Sequence, residues 1–300
     1  MRVLICDPIS PSAIKRMQDA GIDVEDLSDL PKDELINRVK DFDVMVVRSA
    51  TKVRKPMIDR MERMKLILRG GVGLDNIDVD YAKQKGIRVG NTPAASSRSV
   101  AELTIGHMLA LSRHIVRGTQ SIKEGKWEKK ALKGIELLGK TLGIIGIGRI
   151  GKEVAKIAKA LGMRVIAYDP YVREANDAEF VDFDTLLKNS DYISIHVPLT
   201  DETKYLLDKT EFEKMKYGVI VINCARGGVV NEAALLEAMK RGKVGGAGID
   251  VFEEEPPKPS ELLNLPNVSF TPHIGAATSE AQARIGEEVA NILIEFARQT

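Results

Sequence analysis

An apolar run, Leu142-Gly143-Ile144-Ile145, leads directly into Gly146-Ile147-Gly148-Arg149-Ile150-Gly151. A helical pattern follows, with Val154, Ile157, Ala158 and Leu161 on one stripe and Gly162 at the position where a helix ends. Met163 to Tyr168 then reads as a second strand, closed by Asp169. This unit of about 30 residues, strand, tight glycine turn, helix, strand and acid, admits few folds other than a parallel α/β sheet. The three glycines serve different ends. Gly146 makes the turn, Gly148 lets backbone approach a pyrophosphate, and Gly151 lets helix and strand pack closely. The helix start adds N–H donors and the positive end of its dipole. The unit therefore implies dinucleotide binding, with Asp169 accepting from the ribose hydroxyls. A carboxylate there repels a 2′-phosphate, which favours NAD over NADP.

The same alternation runs through the whole chain. Residues 2–6, 22–24, 44–47, 66–68 and 87–89 read as strands, separated by helices opening at Pro11, Pro31, Pro56 and Asp78. This first stretch has no glycine motif at its first turn, so it is a separate parallel domain that does not hold the dinucleotide. Two of its strand ends are chemically marked. Arg48-Ser49-Ala50-Thr51-Lys52 offers two cations and two hydroxyls, and Arg69 to Asn76 is a glycine-rich loop whose amides suit a carboxylate. A long helix then opens with the capping box Ser99-x-x-Glu102 and runs to about His114. Its apolar residues cover more than one face, which reads as a domain crossing and a homodimer surface. His107 within it is read as structural, and Lys123 to Lys133, around Trp127, as an exposed excursion. Beyond Asp169, strands at 192–196, 219–223, 246–250 and 268–271 bring the second sheet to about six strands. A last helix near Ser279, with Gln282 completing its box, returns to the first domain.

Composition narrows the class. The chain has 300 residues, with 44% hydrophobic and 29% charged, as in a globular protein of two domains. A net charge of +1 gives no general attraction to nucleic acid or membrane. No apolar run approaches the ~18 residues of a membrane span. Cys6 and Cys224 both lie in apolar strands, as buried thiols of a reducing compartment do, and Met1 to Asp7 is a strand rather than a leader. The expected location is the cytoplasm.

Three late strand ends carry ionisable groups in apolar or glycine-rich settings: Arg226, the acidic run Glu253-Glu254-Glu255, and His273. Hydride transfer from an alcohol to NAD needs a group that takes the hydroxyl proton and a cation that holds an adjacent carboxylate. His273 suits the first role and Arg226 the second. A glutamate beside His273 would favour the protonated imidazole, and any of the three qualifies. Asp250 can hydrogen-bond a nicotinamide carboxamide. No metal-ligand spacing is present.

Four ordered stretches now matter together: Gly146–Gly151, Cys224-Ala225-Arg226-Gly227-Gly228, Asp250-Val251-Phe252-Glu253-Glu254-Glu255-Pro256 and Thr271-Pro272-His273-Ile274-Gly275. With them the chain resembles the D-isomer-specific 2-hydroxyacid dehydrogenase family. The resemblance implies two doubly wound domains, Rossmann-like and flavodoxin-like, with the active site in the cleft between them. Residues 1–93 plus 279–300 would bind substrate and 94–278 would bind NAD, with hinges near 90–100 and 275–280. It implies that Arg226 binds substrate, His273 is the acid/base and Glu255, through its Glu-Pro context, pairs with His273. Implied NAD contacts, beyond the glycines, are Arg149, Ile150, Asp169, His196, Pro198, Thr203, Cys224, Asp250, His273 and Gly275. Implied substrate contacts are Arg48, Ser49, Gly71, Gly73 and Asn76, with Lys52 beside Arg48 for a phosphate. Val47 to Lys52, Gly71 to Asp78 and Gly125 to Glu128 look most like those members that oxidise 3-phospho-D-glycerate to 3-phosphohydroxypyruvate, the entry to serine synthesis. A glyoxylate or hydroxypyruvate reductase is the alternative, and an NAD-sensing corepressor the remote one. The sequence ends at Thr300, after the last helix, so a short form without a regulatory extension is expected.

Overall fold

The computed structural model describes residues 1–299 and divides into two compact units, Met1–Ser96 with the chain from Ala276 onward, and Ser97–Gly275. The first unit starts with β1 (Arg2–Ile5), α1 (Pro11–Asp19), β2 (Asp23–Asp26) and β3 (Val44–Val47). It continues with α2 (Lys55–Ile58), β4 (Leu66–Arg69), α3 (Val79–Gln84) and β5 (Arg88–Asn91). All five strands are parallel, in the order β2-β1-β3-β4-β5. Apart from Arg2, which opens β1, and Arg69, which closes β4, strands β1, β3 and β4 are apolar because both sheet faces are covered. Leu4, Met45 and Ile67 belong to the core on one face, and Val3, Ile5, Val46 and Leu68 to that on the other. The helix expected from Pro31 is replaced by two single 3-10 turns, Leu35–Asn37 and Val39–Asp41. Such turns close on few hydrogen bonds and are held by burial, here of Leu35 and Val39.

The second unit begins with α4 (Ser97–Ser112) and α5 (Ile115–Lys123), then β6 (Thr141–Ile145), α6 (Arg149–Ala160), β7 (Arg164–Tyr168) and β8 (Glu179–Phe180). After these come α7 (Phe183–Asn189), β9 (Tyr192–Ile195), α8 (Lys209–Lys214), β10 (Val219–Asn223), α9 (Glu232–Lys240), β11 (Val244–Ile249) and β12 (Val268–Phe270). The sheet has seven parallel strands, β12-β11-β10-β9-β6-β7-β8, one more than expected because β8 adds a short edge. Strand order reverses between β6 and β9, the place where such sheets open a crevice for ligands. Asn231 caps α9 by accepting from the Ala234 amide at 3.1 Å, as its position in the sequence suggests.

Three local expectations are corrected. The helix α4 starts at Ser97, so Ser99 lies inside it and is buried rather than acting as its cap. Residues 115–123, where the sequence pattern predicts no element, form α5, set off from α4 by His114 in the left-handed region at φ 53°. The helix α4 itself is buried mostly within its own unit, against α6 and strands β10–β12, through Val100, Ala101, Ile105 and Met108. On α4 Leu109 stays exposed, and further exposed apolar side chains follow on α5 as Ile115, Val116 and Ile122. The final helix, α10 (Ser279–Gln299), lays Ile285, Val289, Leu293 and Phe296 on the first unit's core beside α1. Its start is held by Thr278, whose hydroxyl accepts from the Ala281 amide, while Gln282 reaches the Ala276 carbonyl. Truncating a buried leucine such as Leu293 to alanine costs about 2–5 kcal/mol. Among the described residues, no helix is long and apolar enough to cross a membrane.

Candidate active site

Strand register decides which side chains meet in the second unit. Ile145 pairs with Ile195, so Gly146 and His196 leave the sheet side by side. A Cβ at Gly146 would lie 2.6 Å from the His196 carbonyl oxygen, and Gly146 itself has φ +90°. A Cβ at Gly151 would lie 2.3 Å from the Gly146 oxygen, so only glycine lets α6 approach the turn. At Gly148 a Cβ would meet nothing within 4 Å. Gly148 is the N-cap of α6, and no side chain caps that helix. Open space over uncapped N–H donors at a helix start, with Arg149 and Ile150 in its first turn, fits a dinucleotide pyrophosphate.

Asp169, at the end of β7, faces the same turn. Its Oδ2 accepts from the Ile147 amide at 2.9 Å, and its Oδ1 accepts from Tyr171 and Val172. The carboxylate thus braces the turn, and its lone pairs leave capacity for ribose hydroxyls. His196 is half-buried at the sheet end, and loss of solvent around the ring pushes its imidazole down to about 3 and keeps it neutral. Its Nε2 meets the Ser194 hydroxyl at 2.8 Å, and its Nδ1 has no hydrogen-bond partner among the described residues. Pro198 and Thr203 form one turn, with the Thr203 hydroxyl donating to the Pro198 carbonyl at 2.6 Å. Cys224 belongs to the apolar core, and burial raises its thiol to about 12, so a contact from it to a ligand would be through backbone.

The register also aligns the ends of β10, β11 and β12, since Asn223 pairs with Ile249 and Ile249 with Phe270. Arg226, Asp250 and His273 follow those ends. The Asn223 side chain shapes the first loop, donating to the Arg226 carbonyl and accepting from the Ala225 amide. His273 Nδ1 lies 2.8 Å from Glu255 Oε2. Burial pushes the Glu255 carboxyl up, but His273, the Phe252 amide and the Arg226 charge together hold it below its ordinary value. Of the three acidic candidates, Glu255 is the one bonded to His273. Glu253 turns instead to the Tyr205 hydroxyl and the Glu232 amide, and Glu254 to Lys258. Beside the pair lies a cavity of about 470 Å³ lined by Phe252, Pro256, Leu263 and Phe270.

In the first unit the marked loops are tied together. Asn76 donates to the carbonyls of Arg48 and Thr51, both at 2.7 Å. Gly73 accepts from the Arg69 guanidinium through its carbonyl. Lys52 and Ser49 are exposed, Gly71 is buried, and Arg48 is half-buried with its Nη1 on the Pro8 carbonyl. One organiser carries no motif in the sequence. Asp7, at the end of β1, is buried and accepts from the Arg48 amide, the Thr51 amide and the Thr51 hydroxyl. A carboxylate closing an apolar strand was the one available signal.

Comparison with known proteins identifies the family. Residues 105–275 match the family described as D-isomer specific 2-hydroxyacid dehydrogenase, NAD binding domain. A hydroxypyruvate reductase of Thermotoga maritima is 55% identical over 293 residues, covering 96% of this chain and 95% of the relative. A D-3-phosphoglycerate dehydrogenase of Methanocaldococcus jannaschii is 52% identical over 295 residues. That match covers 97% of this chain, which spans only 56% of the relative's length. Among solved structures, a D-lactate dehydrogenase from Aquifex aeolicus complexed with NAD and lactic acid has a TM-score of 0.85 at 34% identity, covering 100% of this chain and 96% of that one. The chain therefore belongs to the D-isomer specific 2-hydroxyacid dehydrogenase family, and its second unit is the NAD-binding domain.

Proposed function

We propose that the protein interconverts 3-phospho-D-glycerate and 3-phosphohydroxypyruvate with NAD. The observation that carries the chemistry is the 2.8 Å contact between His273 and Glu255. When bound, the dinucleotide supplies the hydride acceptor for oxidation and the donor for reduction. Nδ1–H of His273 donates to the Glu255 carboxylate, which leaves Nε2 to take the proton of the substrate's C2 hydroxyl, or to return it in reduction. Arg226 holds the substrate carboxylate with its planar fork. The Gly71 and Gly73 amides supplement that grip, Asn76 ties the 48–51 loop in place through the Arg48 and Thr51 carbonyls, and Ser49, Arg48 and Lys52 receive the phosphate end. The glycine turn, Asp169, the 198–203 turn, the backbone at Cys224 and Gly275 and the Asp250 carboxylate hold the dinucleotide.

What supports the phosphorylated substrate is the pair of cations at the end of β3, together with the 52% identical phosphoglycerate dehydrogenase. A second reading, reduction of unphosphorylated hydroxypyruvate, is supported by the relative named for it, which matches this chain over nearly its full length. The two substrates differ only by the phosphate. NADH oxidation should be measured with 3-phosphohydroxypyruvate, hydroxypyruvate and glyoxylate, for the parent and for Arg48→Ala. The proposal expects the highest kcat/KM with the phosphorylated acid and a loss confined to it in the variant. Equal or better turnover of hydroxypyruvate, unaffected by the substitution, would establish the second reading.

We also propose a homodimer. The exposed apolar side chains Ile115, Val116 and Ile122, with Leu109 at the end of α4, form a surface that a second copy of the chain would cover.

A further inference from the structure

His107 lies on α4, is 2% exposed, and has no part in the chemistry proposed above. Its ring nonetheless reaches the end of β12. Nδ1 is 2.9 Å from the Ser269 hydroxyl and Nε2 is 3.0 Å from the Thr271 hydroxyl. The Thr271 hydroxyl in turn donates to Asp250 Oδ1 at 2.6 Å. Asp250, also buried, gathers the next loop: Oδ1 accepts from the Ile274 amide at 2.8 Å and Oδ2 from the Gly275 amide at 2.9 Å. Its carbonyl accepts from the His273 amide at 2.8 Å. Three successive amides thus converge on one residue, and the first belongs to His273, held at φ 53°. A non-glycine residue stays in that region only when its surroundings hold it there.

Counting protons fixes the direction of the chain. The Thr271 hydroxyl has one proton and gives it to Asp250, so towards His107 it can only accept. His107 must therefore donate from Nε2. Burial lowers the His107 imidazole below its ordinary value, so the ring is neutral, and Nδ1 accepts from Ser269. Packing points the same way. A Cβ at Gly248 of β11 would lie 2.7 Å from the Cβ of His107, so a glycine in the strand is what lets α4 come close enough for the ring to reach β12.

We infer that His107 is a positioning residue for the reaction: through Thr271 and Asp250 it holds the 273–275 loop, and with it the backbone conformation that presents the His273 imidazole to Glu255. This rests on His273 being the acid/base. The imidazole of His107 touches none of the reacting groups. It fixes the Thr271 hydroxyl so that its proton points at Asp250, and Asp250 then orders the loop amides.

Amide hydrogen exchange of the cofactor-free protein tests the link independently of turnover. His107→Leu should speed exchange at Ile274 and Gly275 about tenfold or more and leave α6 and β9 unchanged. It should lower kcat for 3-phosphohydroxypyruvate or hydroxypyruvate about tenfold to a hundredfold, with KM shifted less than about threefold. His107→Gln, which keeps one donor and one acceptor, should restore most of both. If His107→Leu does not fold, Thr271→Val, of the same shape without the hydroxyl, must show the same loop loosening. Unchanged loop exchange with kcat within about twofold of the parent overturns the inference, as does a glutamine variant as impaired as the leucine one. His273→Gln separates the two readings: if it retains turnover, the acid/base assignment fails, while loop exchange still decides the role of His107.

Discussion

His273 Nδ1 and Glu255 Oε2 lie 2.8 Å apart, and that contact leaves only the other ring nitrogen for proton transfer. Replacing His273 by glutamine should lower kcat about 10²- to 10⁴-fold, the range for loss of a general acid or base, with NAD affinity nearly unchanged. Stopped-flow reduction of the bound nucleotide, with cofactor binding measured separately by fluorescence, checks both halves. A drop in cofactor affinity alone would contradict the assignment.

The same pair makes stability depend on pH. Burial raises the Glu255 carboxyl, yet His273, the Phe252 amide and Arg226 hold it below its ordinary value in the fold. A depressed folded value means that the contribution is complete above the ordinary glutamate range, about 4.3, and fades as pH falls through the folded value. The Tm gap between the parent and Glu255→Gln should therefore be widest near neutrality and shrink below about pH 4. A gap that stays constant over that span would mean that the carboxylate contributes nothing through its ionisation.

Two glycines that look alike in the motif should behave differently. Gly148 faces open space, so Gly148→Ala should keep the parent's Tm and lose NAD affinity, because its methyl would occupy the room left for the pyrophosphate. Gly151→Ala should lose both, since its Cβ would sit 2.3 Å from the Gly146 carbonyl oxygen. Calorimetric titration with NAD and thermal melts of the two variants distinguish these outcomes. Wild-type affinity in Gly148→Ala would show that the pyrophosphate does not lie over that turn.

Much of this was legible in the sequence because the local signals agreed. Periodicity, glycine spacing and the terminal Asp169 all pointed to the same strand, turn, helix and acid, and the alternating strands fixed two parallel sheets. What escaped depends on contacts distant in sequence. His107 meets Ser269 and Thr271 across more than 160 residues, and only the sheet register makes them neighbours. Asp7 looked like a strand end until β3 placed the Arg48 and Thr51 amides on its carboxylate. Ser99 had the right partner at the right spacing for a cap, but tertiary burial drew α4 two residues further back. The acidic run offered three equivalent glutamates by composition; the Glu-Pro context singled out Glu255, and loop geometry gives that one to His273.

Asp7 also yields a prediction about the first unit. Its carboxylate accepts from the Arg48 amide at 2.6 Å and the Thr51 amide at 3.1 Å, and Lys32 approaches it at 3.1 Å. The loop that carries the proposed phosphate cations is thus fastened to the end of β1 by a buried charge. Asp7→Asn can keep its carbonyl oxygen on the Arg48 and Thr51 amides, but both bonds lose their charge and its NH2 then faces the Lys32 ammonium on the other oxygen. With each charged hydrogen bond worth about 1.5–3 kcal/mol, a loss of about 2–4 kcal/mol is expected. The loop would loosen before the sheet melts, so KM for the phosphorylated acid should rise while kcat changes little. Steady-state kinetics beside urea unfolding reads both. An unchanged KM in a destabilised variant would assign Asp7 to the sheet alone and remove it from substrate binding.

Isologous contact through α5 is tested by charge. Ile122 is 58% exposed and apolar, and a second copy would bury it against a like surface. Light scattering at micromolar concentration should give twice the chain mass for the parent and the chain mass for Ile122→Asp, because an unpaired carboxylate inside an apolar contact costs more than the contact returns. Ile122 is exposed in the single chain, so the substitution should leave its fold intact, and circular dichroism of the variant should match the parent. A dimer that survives Ile122→Asp would place the contact elsewhere. A parent that scatters as a single chain at that concentration would remove the dimer altogether.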